Sequence, residues 1–190
     1  AKDETERDLL WAGRRGAFGA IARLSASFYV ADCTVPRNRL PEALDKVAEI
    51  AQSHDLEYAN VFHAGDGNLH PLLLFDSRNT EQVERVEKAG KLILKACVAL
   101  GGTITGEHGV GTEKAEAMRL ICSEDDLEFQ RAIRKAFDPD DLLNPGKIFP
   151  SPVESVDPTV PTNGKFRAQA ELVRRDVEEV RQRIPSPETA

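Results

Sequence analysis

Three of the four histidines sit in two glycine-rich segments. The first runs Phe62-His-Ala-Gly-Asp-Gly-Asn-Leu-His-Pro71 and the second Thr105-Gly-Glu-His-Gly-Val-Gly111. His63 and His70 flank a turn containing Gly65 and Gly67, so the spacing predicts that they oppose each other on adjacent strands. Directly opposed residues share a face, with Cβ atoms about 4.5–5.5 Å apart. Two imidazoles so placed can reach one ion at about 2.0–2.1 Å. A third ligand must come from elsewhere, and Glu107 ends another short predicted strand in a glycine-rich turn. Two histidines and one carboxylate leave positions open on a metal, which is the layout of a catalytic site and not of a closed structural one.

A plainer reading stands beside this one: His63 and His70 as ordinary strand residues bonded to their neighbours. Their spacing matches no zinc-finger or His-Glu-x-x-His signature. The clustering of Gly65, Gly67, Gly101, Gly102, Gly106, Gly109 and Gly111 favours the ligand reading, because glycine lets backbone approach a bound group closely. A phosphate cradle at Gly109-x-Gly111 lacks the full Gly-x-Gly-x-x-Gly after a parallel strand. His54 is expected to be a residue at the end of a helix. Trp11-Ala-Gly-Arg-Arg15 is a further candidate, since a site for a carboxylic acid needs a guanidinium that grips carboxylate with two parallel bonds.

The elements that must carry these residues follow from periodicity. A helix is predicted over 2–24, with Leu10, Ala17, Ile21 and Leu24 on one face. A strand is predicted over 26–35. Pro41 suits the first turn of a helix to about Ser53, with Leu40, Leu44, Val47 and Ala51 aligned. Short strands at 59–63 and 69–75 form a hairpin. Asn79-Thr-Glu-Gln82 resembles a capping box for a helix carrying Val83, Val86, Ile93, Leu94, Cys97 and Val98 to Gly101-Gly102. A short strand at 103–105, a helix over 112–121 and a helix from Ser123 to about Phe137 complete the order. Hairpin strands mixed with separated helices predict an α+β fold, an antiparallel sheet with helices packed on one face.

The chain has 190 residues, and seven of its eleven prolines lie from Pro145 onward. A domain over 1–150 is expected, then a proline-rich linker over 151–164 and an amphipathic helical tail over 165–190. In the tail, Phe166, Ala170, Val173, Val177, Val180 and Ile184 alternate steps of four and three, an a/d stripe on a charged helix. Docking on its own domain, binding a partner or a second copy, and disorder are the three readings of that stripe.

Net charge is −7, from 25 Lys and Arg against 32 Asp and Glu. This balance argues against a nucleic-acid partner, which requires a basic face. The sequence predicts no transmembrane segment and no signal peptide. Cys33, Cys97 and Cys122 suggest no disulfide framework, so a reducing, cytoplasmic setting is expected, with any membrane contact made through partners. The only methionine is Met118, so the first residue is not an initiator.

Five runs, taken in order, resemble one family. They are Leu10-Trp-Ala-Gly-Arg14, Asp32-Cys-Thr-Val-Pro36, Ala59-Asn-Val-Phe-His-Ala-Gly-Asp-Gly-Asn-Leu-His-Pro71, Gly106-Glu-His-Gly-Val-Gly111 and Phe137-Asp-Pro-Asp-Asp-Leu-Leu-Asn-Pro-Gly-Lys147. Together they resemble the C-terminal part of the FAD-linked oxidases of D-2-hydroxy acids, a family that includes glycolate oxidase FAD subunits and D-lactate dehydrogenases. The resemblance implies that His63, His70 and Glu107 bind a divalent metal: zinc, manganese or iron. It implies that His108 takes the hydroxyl proton, that Arg14 holds the substrate carboxylate, and that Asn144 lies where the chain returns toward the flavin.

Relatives that oxidise hydroxyglutarate carry a lysine where this chain has Val30, so a small mono-acid is expected as substrate. The family's flavin domain precedes the matching region. The chain is therefore expected to be the substrate- and metal-binding portion of a larger enzyme, inactive alone. FAD would be bound mainly by a domain or subunit outside it, with other oxidase subunits as further partners. The face that meets the flavin part would promote self-association. The alternative function is a catalytically silent metal- or partner-binding module with the same fold.

Overall fold

The computed structural model describes residues 1–151. The predicted tail helix, and the linker beyond Ser151, lie outside the described residues. The described residues divide into two compact units, 1–109 and the part from Val110 onward.

The first unit is built on an antiparallel sheet. Its strands are β1 (Ser27–Val30), β2 (Cys33–Thr34), β3 (Glu57–His63) and β4 (Asn68–Phe75). β4 is central, with β3 along one side and both β1 and β2 along the other. The pairs Val30–Leu72 and Cys33–Leu69 belong to one continuous register, so β1 and β2 are a single strand interrupted at Ala31 and Asp32. Pro71 explains the interruption. The Ala31 N–H donates to the Pro71 carbonyl at 3.0 Å, but proline has no N–H to return the bond. The same register places Asp32 opposite His70.

Alternation along the strands gives the sheet two different faces. Tyr29, Cys33, Leu69 and Leu73 point to the face covered by α2 (Leu40–Ser53) and α3 (Thr80–Ala99). These helices bury Ala43, Val47 and Ala51, and Val86, Ala89, Ile93 and Cys97. Tyr29 packs on Gly90, where an added Cβ would sit 2.7 Å from its ring. Cys33 and Cys97 meet on this face, with sulfurs 3.2 Å apart. On the opposite face Val61, Leu72 and Leu74 cluster with Ile21, flanked by Ala17, Phe28, Val30 and Ala59. Val61, Leu72 and Leu74 alternate with residues of the helical face. His63 and His70 fall on this second face by the same period of two.

Asp3 caps α1 (Glu4–Ile21), its side chain accepting from the Glu6 N–H at 2.8 Å. The predicted apolar stripe of this helix is only half used. Ala17 and Ile21 reach the sheet, whereas Leu10 and Leu24 are exposed. Asn79 caps α3 by accepting from the Gln82 N–H, but the Gln82 side chain accepts from the Asp76 N–H instead of closing a capping box. His54 stands at the C-terminus of α2, its Nδ1 2.9 Å from the Ile50 carbonyl. The hairpin turn over 64–67 holds Gly67 at φ +73°, and a Cβ there would come 2.1 Å from the Val35 carbonyl.

Two expectations are corrected. The predicted strand at 103–105 is a single bridge, Thr34–Thr103, because the residues after it turn to bond a buried side chain. The predicted helix over 112–121 is a 3-10 segment, Glu116–Leu120, confined between Gly111 and the cap of the next helix.

That next helix, α4 (Glu124–Phe137), belongs to the second unit. Ser123 and Asp126 form a reciprocal capping box at its start. Leu127 and Ala132 are its buried residues. At its end the Asp138 carboxylate accepts from the Leu142 and Leu143 N–H groups, both at 2.8 Å. Arg131 lies over the Phe149 ring and donates to the Pro150 carbonyl.

Candidate metal and acid–base site

His63 ends β3, and His70 lies in β4 two positions beyond Asn68. The register pairs His63 with Asn68 and Val61 with His70. The two histidines are therefore diagonal neighbours, and not directly opposed as their symmetric spacing suggested. The turn closes at Asn68, shifting the expected partner by two residues. An even shift preserves the face, so the imidazoles still meet, edge to face, with ring centroids 5.5 Å apart.

Glu107 and His108 arrive from the loop after Thr103. Glu107 Oε1 lies 3.2 Å from His70 Nε2, 3.7 Å from His63 Nε2 and 3.8 Å from His108 Nε2. His63, His70 and Glu107 each offer one ligand atom, all within 4.8 Å of one another. His108 stacks on His70 with centroids 4.9 Å apart. His70 is buried, whereas His63, Glu107 and His108 are about half exposed. The cluster thus has a closed floor and an open mouth.

Burial lowers the His70 pKa, and the neighbouring His108 and His63 push the same way. Asp32 and Glu107 oppose the shift without reversing it. His70 is therefore neutral at neutral pH, the form in which imidazole binds a metal. Two ligands tetrahedrally placed on one ion at about 2.1 Å stand about 3.4 Å apart. The contacts of Glu107 with the two histidines bracket that value, and a set of two imidazoles and one carboxylate suits a divalent ion. Within the same wall, the buried Asn68 Oδ1 makes no hydrogen bond among the described residues.

Two residues of this site were not assigned from sequence. Asn68 shares the face of His70, its Nδ2 being 3.4 Å from His70 Nε2. It also presses on the loop: a Cβ at Gly106 would come 2.3 Å from Asn68 Oδ1. Asp32 is fully buried. Its Oδ2 accepts from the Thr105 hydroxyl and the N–H groups of Gly106, Glu107 and His108, and its Oδ1 is 3.4 Å from His70 Nε2. The available signal was a carboxylate between Ala31 and Cys33 in a strand-forming stretch, which must be bonded if buried.

Arg14 is half-buried and lines a cavity of ≈ 630 Å³ with Trp11, Arg15, Phe62 and His63. The structure thus brings the predicted guanidinium and one predicted ligand to one cavity. Asn144 belongs to the second unit. It sits at φ +50°, and its carbonyl accepts from Arg134 at 3.0 Å.

A sheet backed by α2 and α3 on one face, with the end of α1, an open His-His-Glu cluster and a stacked third histidine on the other, defines an α+β domain with a candidate metal site. Residues 1–148 match the family model described as FAD linked oxidases, C-terminal domain, and the chain belongs to that family. It is 49% identical over 151 residues to the glycolate oxidase subunit GlcD of Escherichia coli (strain K12), covering 80% of this chain and 30% of that protein. Identity to the glycolate oxidase subunit GlcD of Bacillus subtilis is 42% over 149 residues, covering 78% and 32%. Identity to the probable mitochondrial D-lactate dehydrogenase of Danio rerio is 33% over 150 residues, covering 78% and 30%. The chain spans about 30% of the length of these relatives. Among the described residues no helix is long and apolar enough to cross a membrane.

Proposed function

We propose that this chain is the substrate- and metal-binding portion of an FAD-dependent 2-hydroxy-acid oxidoreductase that converts glycolate or D-lactate to the 2-oxo acid. The observation that carries the reading is the convergence of His63, His70 and Glu107, from two strands and a distant loop, within 4.8 Å. Family membership and the names of the relatives support the chemistry.

In this reading His63, His70 and Glu107 hold a divalent zinc, manganese or iron ion. Bound there, the ion supplies a Lewis acid for the substrate oxygens, while FAD supplies the hydride acceptor. The Arg14 guanidinium holds the substrate carboxylate in the cavity it shares with His63. His108 Nε2 takes the α-hydroxyl proton, and its stacking on His70 fixes the ring. Asn144 contributes on the flavin side. The main flavin-binding part and further oxidase subunits are partners, in a cytoplasmic assembly that self-associates. A boundary near Pro150, with the linker and helical tail beyond it, completes the proposed organisation.

The test uses the complete flavoenzyme containing this chain. About one divalent ion per chain, anaerobic bleaching of the flavin by glycolate or D-lactate, and loss of both in His63→Ala are expected. Full bleaching in a metal-free His63→Ala enzyme would overturn the metal assignment. Failure of the wild type to bleach with any small 2-hydroxy acid would overturn the activity.

A further inference from the structure

Neither Glu107 nor His108 belongs to a strand or helix, yet the proposed chemistry needs both held against His70. The bonds that hold them converge on one atom. Asp32 Oδ2 accepts from Thr105 Oγ1 at 2.7 Å and from the successive N–H groups of Gly106, Glu107 and His108 at 2.9, 3.2 and 3.0 Å. Three consecutive amides aimed at one point form a concave anion seat, here filled from within the protein. Thr105 Oγ1 in turn accepts from the Gly109 N–H at 2.9 Å, which closes the loop on itself.

Asp32 is also tied to the sheet. It lies opposite His70 in the β1/β2–β4 register, at the point where Pro71 interrupts the ladder. From that interruption its carboxylate reaches over to the loop. Its Oδ1 faces His70 Nε2 at 3.4 Å. One fully buried side chain thus bridges the histidine fixed by the sheet and the two residues supplied by the loop. Asp32 and Glu107 also bring two carboxylates to the same imidazole nitrogen, a charge that matches a dication.

We propose that Asp32 is a positioning residue: its buried carboxylate folds the 105–109 loop and so sets Glu107 as a ligand and His108 as a base. The assignment of those two roles rests on the function proposed above; the loop-folding role does not.

The test compares wild type, Asp32→Asn, Thr105→Val and Glu107→Gln in the full chain, with two measurements. Hydrogen exchange by mass spectrometry reads the amides of the 103–110 segment, and Mn2+ alone, followed by paramagnetic resonance, reads the ligand set. In Asp32→Asn, exchange of that segment should quicken ten-fold or more while α2 and α3 stay protected, and Mn2+ affinity should fall ten-fold or more. Thr105→Val should do both to a smaller degree. Glu107→Gln should lose Mn2+ with the loop still protected, separating a ligand from a residue that places it. A folded Asp32→Asn with wild-type exchange and Mn2+ affinity overturns the proposal, as does equal quickening throughout the sheet and helices. If Asp32→Asn fails to fold, Thr105→Val decides, and an unchanged loop overturns it. If the wild type binds no Mn2+, the metal reading fails while loop exchange alone still decides the role of Asp32.

Discussion

His70 and His108 stack nearly parallel, with ring centroids 4.9 Å apart and planes 13° off. One ring is buried in the central strand and the other is half exposed on a loop. The two positions suit different tasks, ligation for the inner ring and proton transfer for the outer. His108→Asn should lower kcat by about 10²–10⁴-fold, the usual loss when a general base is removed, while metal content stays at the wild-type level. His70→Asn should lose both. Steady-state kinetics and elemental analysis on the same preparations check this, and parallel loss of metal in His108→Asn would count against separate roles.

Gly106→Ala tests how tightly the loop is laid on the sheet. Its Cβ would stand 2.3 Å from Oδ1 and 2.4 Å from Cγ of the buried Asn68. Crowding of this kind typically costs about 1–3 kcal/mol. A lower denaturant midpoint together with weaker metal binding is expected. An unchanged midpoint would mean that Asn68 moves aside without loss.

In the proposed function, Arg14 and Val30 bear on substrate size. Arg14→Ala should lower kcat/KM for glycolate and D-lactate alike by about 10–100-fold, matching about 1.5–3 kcal/mol for a charge-assisted hydrogen bond. The wild-type enzyme should prefer both acids over 2-hydroxyglutarate. Val30 packs partly buried beside Leu72 on the face that carries His70, and Val30→Lys should narrow the preference. Equal specificity constants for the three acids in wild type would show that another cation holds the second carboxylate.

Asp138 makes a pH prediction in the second unit. Burial opposes its ionisation, but the Leu143 and Leu142 N–H groups, with Arg134 and Lys135 nearby, outweigh burial and hold its pKa below the ordinary 3.8. A carboxyl depressed on folding adds stability that is present above its unfolded value and disappears as pH falls through the folded one. Asp138→Asn should therefore lower Tm at pH 7, and the gap to wild type should shrink as pH falls below 3.8. Thermal scans from about pH 7 to about pH 2.5 measure it, and a constant gap would assign the loss to geometry instead of charge.

Local rules made much of the framework legible. Capping residues and apolar spacing marked α2, α3 and α4, and the glycine turn marked the hairpin, because these signals act within a few residues. His63 and His70 could be assigned to one face from their symmetric placement about the glycine turn, and the family was readable from five short runs. Their exact pairing was not, because the turn closes on Asn68 and only the completed ladder sets the register. Likewise, Leu10 and Leu24 fit a buried stripe of the helix predicted over 2–24, but α1 ends at Ile21 and both are exposed, because which apolar residues meet the sheet depends on where the helix end docks.

The site itself was assembled by tertiary structure. Asp32 and His108 are 76 positions apart, and no local pattern in either segment states that one carboxylate will collect the other's backbone. Sequence by itself determined the chemical types available, two strand histidines and a Glu-His pair in a glycine-rich loop. Folding decided that they meet, because the register sets Asp32 opposite His70 on the face over which the 105–109 loop passes. A fully buried carboxylate there is cut off from bulk solvent, so its charge is met by the loop's amides and hydroxyl.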